Sequence, residues 1–191
     1  MSANPYAAAA FLIAAFVIAG AAQTAWFGSS RSRAFAAPLD GGLTFRGRRV
    51  LGDHKTLRGF VVMVPAAACA FALLSVAAGD ARGRLLWALS PAEYAALGGW
   101  AALGFMAGEL PNSFVKRQLD IAPGGTASSR PTAMLQFAAD RVDSGIGMLA
   151  AMSVAVPTPA LTWAIVLLAG APLHWGFSVV MYLLGTKERP A

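Results

Sequence analysis

The chain has 191 residues, of which 57% are hydrophobic and only 13% are charged. Soluble domains carry about a quarter of charged residues, so this composition excludes an ordinary water-soluble globular domain and indicates a membrane protein. The net charge of +6, spread between apolar runs, favours a membrane and anionic partners over nucleic acid. A single cysteine, Cys69, excludes an internal disulfide and a thiolate metal cluster.

Long apolar runs divide the chain into candidate membrane spans. A helix needs about 20 predominantly apolar residues to cross the hydrocarbon core. Three runs of that length contain no Lys, Arg, Asp or Glu, and two others carry a few charges. The predicted spans are 6–27, 60–78, 92–110, 132–156 and 160–185. The sequence therefore predicts an all-α, polytopic integral membrane protein that forms one membrane-embedded domain over residues 1–191.

The distribution of basic residues predicts the orientation of this protein. With the N-terminus outside, 13 of the 15 Lys and Arg residues fall on the inner side, and only Arg82 and Arg84 lie outside. The positive-inside rule therefore favours an N-out, C-in topology. Two long inner loops follow, at about 28–59 and 111–131, and we expect the functional groups to face the cytoplasm.

The first inner loop is rich in both glycine and cations. Residues 38–59 contain five glycines, six basic side chains including His54, and two acids. Glycine allows the backbone to approach a ligand, and successive backbone N–H groups in such turns bind anions. This pattern favours a polyphosphate ligand. The alternative is a solvated loop whose cations follow the positive-inside rule or contact anionic headgroups.

The fourth apolar run is interrupted by Asp140, Arg141 and Asp143. Each acid would cost about 2.5–3.5 kcal/mol at the centre of a lipid-exposed helix, so the pair requires a polar cavity. Three residues apart on a helix, the two carboxylates share one face and can bind a common Mg²⁺ ion. The alternative is that Arg141 and another basic residue only neutralise the acids.

Four segments carry a resemblance to a known family. They are PLDGG, FRGRR and LGDHKT at 38–42, 45–49 and 51–56; SFVKR at 113–117; DRVD at 140–143; and the tail at 172–187. Together these segments resemble the CDP-archaeol synthases, which are CTP-dependent lipid cytidylyltransferases of the inner membrane face, similar to the CDP-diacylglycerol synthases. The resemblance covers nearly the whole chain, and the first loop is its most specific part.

The resemblance implies a set of site residues. It implies CTP contacts at Arg46, Arg48, Gly52, Asp53, Lys55, Thr56, Arg58 and Ser113. It implies catalytic roles for Asp143, Asp140, Lys116 and Arg117, and Mg²⁺ ligands at Asp140, Asp143 and Glu109. The family usually has Asp at the Glu109 position. Glu109 could instead be an interfacial acid paired with Lys116 or Arg117, and those two cations could be plain interfacial anchors.

Pro111 follows Glu109 closely in the sequence. Because proline lacks an N–H group and clashes with the preceding turn, it should break or kink the third helix there. Asp120 lies where archaeol-type members tend to have Gly, and the sequence assigns it no role.

The implied reaction is attack by the phosphate of a membrane glycerolipid on CTP, giving a CDP-lipid and pyrophosphate. The expected acceptor is 2,3-bis-O-geranylgeranylglycerol 1-phosphate or phosphatidic acid, with Mg²⁺ as cofactor and no nucleic acid partner. The expected location is the cell membrane, with the active site facing the cytoplasm.

Two other functions remain open at this point. One is a CTP-dependent polyprenol or lipid kinase, and the other is a small non-catalytic transport protein that uses its acids for ion passage. Neither inverted halves nor paired broken spans are evident, which argues against the transporter. Monomer and homodimer both remain open, because the same small residues pack helices within and between chains.

Overall fold

A computed structural model describes residues 3–185 as a bundle of helices. The end of the resembling tail, at Thr186 and Lys187, lies outside this range, and so does Arg189, which was counted among the inner basic residues. The elements in chain order are α1 (Pro5–Gly28), a 3₁₀ helix (Ser30–Phe35), β1 (Thr44–Phe45), β2 (Arg48–Arg49), α2 (Leu57–Ala77), α3 (Ala81–Leu85), α4 (Pro91–Gln118), α5 (Arg130–Ala155) and α6 (Ala160–Leu183).

Local capping signals determine where several helices begin. The side chain of Asn4 accepts hydrogen bonds from the backbone N–H groups of Tyr6 and Ala7, both at 3.1 Å, at the start of α1. Ser90 and Glu93 form a reciprocal capping box at the start of α4. These contacts satisfy backbone donors that have no partner within the first helical turn.

Three helices, α1, α2 and α6, are long and apolar enough to cross a membrane. Helices α4 and α5 contain 28 and 26 residues, which also exceeds the length of a span, but both carry several charged residues. The mostly helical, membrane-embedded architecture predicted from the sequence is therefore confirmed at this level.

The five long helices form a closed ring. Helix α1 packs against α2 and α6, α2 against α4, α4 against α5, and α5 against α6. The first and last helices are also joined by a hydrogen bond from the Thr162 hydroxyl to the Pro5 carbonyl, at 3.2 Å. This ring surrounds the cavity that holds the polar residues.

Aromatic side chains pack at the end of the ring that lies away from the long loops. Phe11 of α1 contacts Phe71 edge-on at 5.1 Å between ring centroids, and Tyr94 at 5.3 Å. Trp87 donates from its indole N–H to the Pro157 carbonyl at 3.0 Å. These buried rings fix one end of the bundle and leave the other end free for the polar site.

Helix α4 does not end at Pro111 but runs on to Gln118. Of the predicted break or kink, the break is therefore wrong, and the inner loop begins after the helix rather than at residue 111. Proline within a membrane helix is tolerated because neighbouring groups can satisfy the carbonyl that it leaves without a donor. As a result Asn112 and Ser113 lie on α4, with Lys116 about one turn further along the same helix.

Glycines allow α4 and α5 to approach each other closely. A Cβ atom added at Gly104, Gly108 or Gly147 would overlap the backbone of the facing helix, and at Gly108 the obstructing atom is the carbonyl oxygen of Asp143. Small residues at such crossings allow backbone-to-backbone packing in membranes. The crossing therefore sets the distance between Glu109 on α4 and the acids on α5.

Gly108→Ala should inactivate the protein more than it unfolds it. Overpacking costs about 1–3 kcal/mol. Displacing catalytic groups by about 1 Å can lower a rate by about 100-fold. Turnover and melting temperature in detergent would be compared with those of Gly99→Ala, on the same helix, where an added Cβ meets its nearest atom at 3.7 Å. Equal turnover in the two variants would contradict this role of the crossing.

Candidate active site

A cavity of about 1150 Å³ lies inside the helix ring. Its wall includes polar residues at the loop end and apolar residues deeper in the bundle. The polar set includes Lys55, Thr56, Glu109, Asn112, Ser113, Lys116, Arg117, Asp140, Asp143 and Ser144, and the apolar set includes Leu12, Phe16, Met63, Met106, Met148 and Phe177. One continuous space therefore joins a charged compartment to a hydrophobic one.

Three carboxylates from two helices meet in the polar compartment. The Asn112 amide nitrogen donates to Asp140 at 2.6 Å and to Asp143 at 2.7 Å, which brings the two acids within reach of one group. The Ser144 hydroxyl donates to Glu109 at 2.8 Å. The side chains of α5 that the sequence predicted to share one face therefore do point to the same place.

Two lysines pair with two of these three acids. Lys55, which precedes α2, forms an ion pair with Glu109, and Lys116 forms one with Asp140. All four side chains are about one-third exposed or less. Buried charges require a partner, and among residues 3–185 Asp143 has no ion pair, only neutral hydrogen-bond donors such as the amide of Asn112. A phosphate group would compete with the carboxylates for the same lysines.

The donor set agrees in chemistry with a magnesium site of two carboxylates. Asp140 and Asp143 supply hard oxygen atoms, and Mg²⁺ commonly uses one or two carboxylates together with substrate phosphates and water. Among residues 3–185, however, no group of three His, Cys, Asp or Glu side chains is arranged to hold a metal ion. Glu109 is occupied by Lys55 and Ser144, so its predicted role as a third ligand stays a prediction.

Asp40 organises the glycine-rich loop from its interior. Its side chain is 1% exposed and accepts hydrogen bonds from the Arg49 guanidinium at 2.6 Å and from the backbone N–H groups of Leu51 and Gly52 at 2.9 and 3.1 Å. The Arg49 guanidinium and these amides hold the pKa of the Asp40 carboxyl well below its usual range. The loop is thus a folded unit that includes the β1–β2 hairpin.

Asp40→Asn should loosen this loop at neutral pH, because hydrogen bonds to a charged group contribute about 1.5–3 kcal/mol. The lowered pKa means that the stabilisation is complete above the unfolded carboxyl's pKa of about 3.9 and is lost only as the pH falls through the lower folded-state value. In the unmodified protein, the Leu51 and Gly52 amides should therefore stay protected from hydrogen exchange down to about pH 4.

Asp53→Asn is the matched control for that experiment. Asp53 pairs with the same Arg49 at 2.8 Å, but its side chain is 72% exposed. Exposed ion pairs contribute little, so this variant should keep the protection of the Leu51 and Gly52 amides. Equal loss of protection in both variants would contradict the central role of Asp40.

The structure brings only some of the predicted nucleotide-binding residues to the cavity. Those that line it are Lys55, Thr56, Ser113, Lys116 and Arg117. Those that do not are Arg46, Arg48, Gly52, Asp53 and Arg58. The glycine-rich loop therefore supplies Leu39 and parts of its C-terminal end to the cavity wall rather than its whole length.

Two of the predicted arginines outside the cavity wall have structural partners. Arg48 binds the Gln118 carbonyl and Asp120, and so joins the hairpin to the end of α4. Arg58 donates to the Phe27 carbonyl at 2.8 Å and to the Ser32 hydroxyl at 2.6 Å. These contacts hold the loop segments together, and the predicted phosphate contacts of Arg48 and Arg58 stay predictions.

Arg46 and Gly52 both adopt left-handed backbone conformations. Arg46 has φ of +53° and its guanidinium lies 5.3 Å from the Phe45 ring centroid. Gly52 has φ of +89° and packs against the Arg117 side chain. Glycine adopts this left-handed conformation readily, and it places Gly52 against Arg117, which lines the cavity.

Comparison with known proteins identifies the family. Residues 10–191 match the family model described as "CarS-like: CDP-archaeol synthase". The chain belongs to the CDP-archaeol synthase family. The family resemblance predicted from the sequence is confirmed, and with it the predicted enzyme class, a CTP-dependent cytidylyltransferase.

Individual relatives agree with this family. The chain is 36% identical over 159 residues to a CDP-archaeol synthase of Aeropyrum pernix, covering 80% of this chain and 78% of the relative. It is 35% identical over 164 residues to a CDP-archaeol synthase of Halobacterium salinarum, with coverages of 80% and 82%.

A solved structure is similar across almost the whole fold. It is described as "Structural insight into an intramembrane enzyme for archaeal membrane lipids biosynthesis" and has 26% sequence identity and a TM-score of 0.63. The match covers 92% of this chain and 94% of the solved one. This similarity confirms the prediction of an integral membrane enzyme.

Sequence reasoning missed several residues of this family member's site. It assigned no role to Asn112, although the asparagine bridges the two acids of α5. It also assigned no role to Arg130 and Gln136, which line the cavity. The sequence signal for Asn112 was its position one helical turn after Gly108. Because a break was expected at Pro111, Asn112 was not placed on that helix.

Proposed function

We propose that the chain joins the cytidylyl group of CTP to the phosphate of a glycerolipid in the inner leaflet and releases pyrophosphate. The observation that carries this proposal is the continuous cavity, because it offers a charged compartment for phosphates and an apolar compartment for lipid tails. The proposed acceptor is 2,3-bis-O-geranylgeranylglycerol 1-phosphate, with phosphatidic acid as the ester-linked alternative.

The transfer needs charge neutralisation more than covalent chemistry. A lipid phosphate oxygen forms a bond to the α-phosphorus of CTP while the bond to pyrophosphate breaks. The lipid phosphate is already ionised at neutral pH, so no general base is required. Lys55, Lys116 and Arg117 line the polar compartment, and they would bind the phosphates and stabilise the charge that develops on the leaving group.

The acids of α5 would hold the proposed magnesium ion. When bound, Mg²⁺ supplies positive charge to the phosphate oxygens and the leaving pyrophosphate. Asp140 and Asp143 would provide carboxylate oxygens, and Asn112 would keep the two side chains directed towards one point. Lys116 would then turn from Asp140 towards phosphate, because the ion replaces it as the partner of that carboxylate.

We also propose a five-span, N-out and C-in topology with a single catalytic domain. The distribution of Lys and Arg supports this orientation, as 13 of 15 fall on the inner side. The length of α4 and α5 supports their inclusion as spans, and most of their charged residues line the cavity, namely Glu109, Lys116, Arg117, Arg130, Asp140, Arg141 and Asp143. In this topology the loop end of the cavity opens to the cytoplasm, where CTP is present.

An isotope experiment tests the proposed reaction. The protein would be purified in detergent and incubated with Mg²⁺, either lipid phosphate, and CTP labelled at the α or the γ phosphorus. Entry of α label into the lipid would support cytidylyl transfer, and the preferred acceptor would identify the tails. Entry of γ label into a dolichol-type alcohol would mean a kinase, and no lipid label would overturn the enzymatic proposal.

A further inference from the structure

A second, smaller groove lies on the outside of the helix ring between α5 and α6. It has a volume of about 410 Å³ and is lined by Phe137, Arg141, Ala171, Pro172 and Trp175. Phe137 and Arg141 also line the central cavity. These two side chains therefore form the wall that separates the groove from the reaction cavity.

The outer side of this wall faces the surroundings of the bundle. Phe137 is 52% exposed and Trp175 is 48% exposed. In the proposed topology this surface contacts lipid at the depth of the acids, close to the inner leaflet. The groove is thus a lateral opening next to the active site, on the side from which a membrane lipid must arrive.

Among residues 3–185, Arg141 is the only cation that lines the groove. Its guanidinium lies 3.2 Å from the Phe137 ring centroid, and one Nη atom donates to the Phe137 carbonyl at 2.8 Å. Within residues 3–185, its buried Nε atom has no hydrogen-bond partner and no carboxylate is within ion-pair distance of the side chain. A positive charge with unused donors at an apolar surface is complementary to an anionic headgroup.

The facing wall on α6 leaves room for a ligand. Pro172 cannot donate a backbone hydrogen bond, which leaves one helical carbonyl without its usual donor. A Cβ atom added at Gly170 or Gly176 would meet no other atom within 4 Å. Gly170 itself lines the central cavity, so this part of α6 borders open space next to the groove.

We propose that this groove is the lateral passage for the acceptor lipid, and that Arg141 binds the lipid's phosphomonoester as it enters from the bilayer. This inference rests on the proposed function, because it concerns the acceptor of that reaction. The phosphate moves past Phe137 to the lysines of the cavity, and the tails follow into the apolar compartment. CTP reaches the same cavity from the loop end and does not use the groove.

A steric variant tests the passage itself. Ala171 lines the groove but not the cavity, so Ala171→Trp should obstruct lipid access without changing the polar compartment. We expect kcat/KM for a long-chain lipid phosphate in nanodiscs to fall about tenfold or more, while the KM for CTP stays within about twofold. Ala164→Trp, at an exposed position of the same helix that lines neither space, is the matched control.

A charge variant tests the role of Arg141. Arg141→Gln should raise the KM for the bilayer-embedded acceptor about tenfold, as expected for loss of a charge-assisted hydrogen bond. Arg141→Lys should recover part of this loss because it keeps the charge. A short-chain, water-soluble lipid phosphate can enter from the loop end, so its KM should change less than about threefold.

Each outcome of these experiments decides a separate point. An equal rise in KM for the long-chain and short-chain acceptors would place Arg141 at the reacting centre and overturn the passage proposal. Unchanged kinetics in both Ala171→Trp and Arg141→Gln would also overturn it. Failure of the proposed function is distinguishable, because the unmodified protein would then incorporate no α label into either acceptor.

Discussion

Asp143→Asn should lower turnover by about 100-fold to 1000-fold while the protein stays folded in detergent. Asparagine keeps the size of the side chain but removes the charge that would hold magnesium near the phosphates. Loss of several kcal/mol of transition-state stabilisation corresponds to about 100-fold to 1000-fold in rate. Turnover would be measured as transfer of α label from CTP to lipid, with the melting temperature as the check on folding.

Asp80→Asn provides the control for this variant. Asp80 is exposed and lies just after α2, at the end of the bundle away from the polar compartment. The same chemical change there should leave turnover within about twofold, because surface substitutions have small effects. Full activity of Asp143→Asn would refute the assignment of this carboxylate to the reaction.

Lys55→Ala should raise the KM for CTP by about tenfold to 100-fold, with a smaller change in kcat. Lys55 is the one residue of the glycine-rich loop whose cation reaches the acids, through its pair with Glu109. Hydrogen bonds to charged groups contribute about 1.5–3 kcal/mol, which sets the size of the effect. Initial rates at varied CTP and saturating lipid would measure it.

Two further variants distinguish the effect of the positive charge at Lys55 from the effect of the overall positive charge of the loop. Lys55→Arg should keep most of the affinity for CTP, since it retains a cation of similar reach. Arg33→Ala removes an exposed cation of the same inner segment that does not line the cavity, and it should leave the KM unchanged. An equal effect of Arg33→Ala and Lys55→Ala would mean that only the overall charge of the loop matters.

The sequence predicted the helices better than it predicted their ends. Apolar runs located α1, α2 and α6 within a few residues, because a long uncharged segment has few alternatives to a membrane helix. It missed α3, which is five residues long and has no apolar periodicity to reveal it. It also ended the third span at Pro111, since the tolerance of proline inside a helix depends on neighbouring groups that a single sequence does not display.

The acids of the site were predictable and most of their partners were not. Asp140 and Asp143 interrupt an apolar run, and the cost of that interruption identified them. The arginines of the first loop carry no such signal. The sequence of a basic, glycine-rich segment does not show whether its cations bind a phosphate or acids of the protein itself. Here Arg49 binds Asp40 of the same loop, and Arg48 binds the distant Asp120.

The closure of the ring between α1 and α6 has a consequence for biosynthesis. The hydrogen bond from Thr162 to Pro5 joins residues 157 positions apart, and α6 supplies one wall of both the cavity and the groove. Helices are inserted in order from the N-terminus, so the ring cannot close on α1 until α6 has been inserted. A nascent chain that ends before α6 therefore has no enclosed reaction chamber, and the enzyme becomes competent only after α6 has been synthesised.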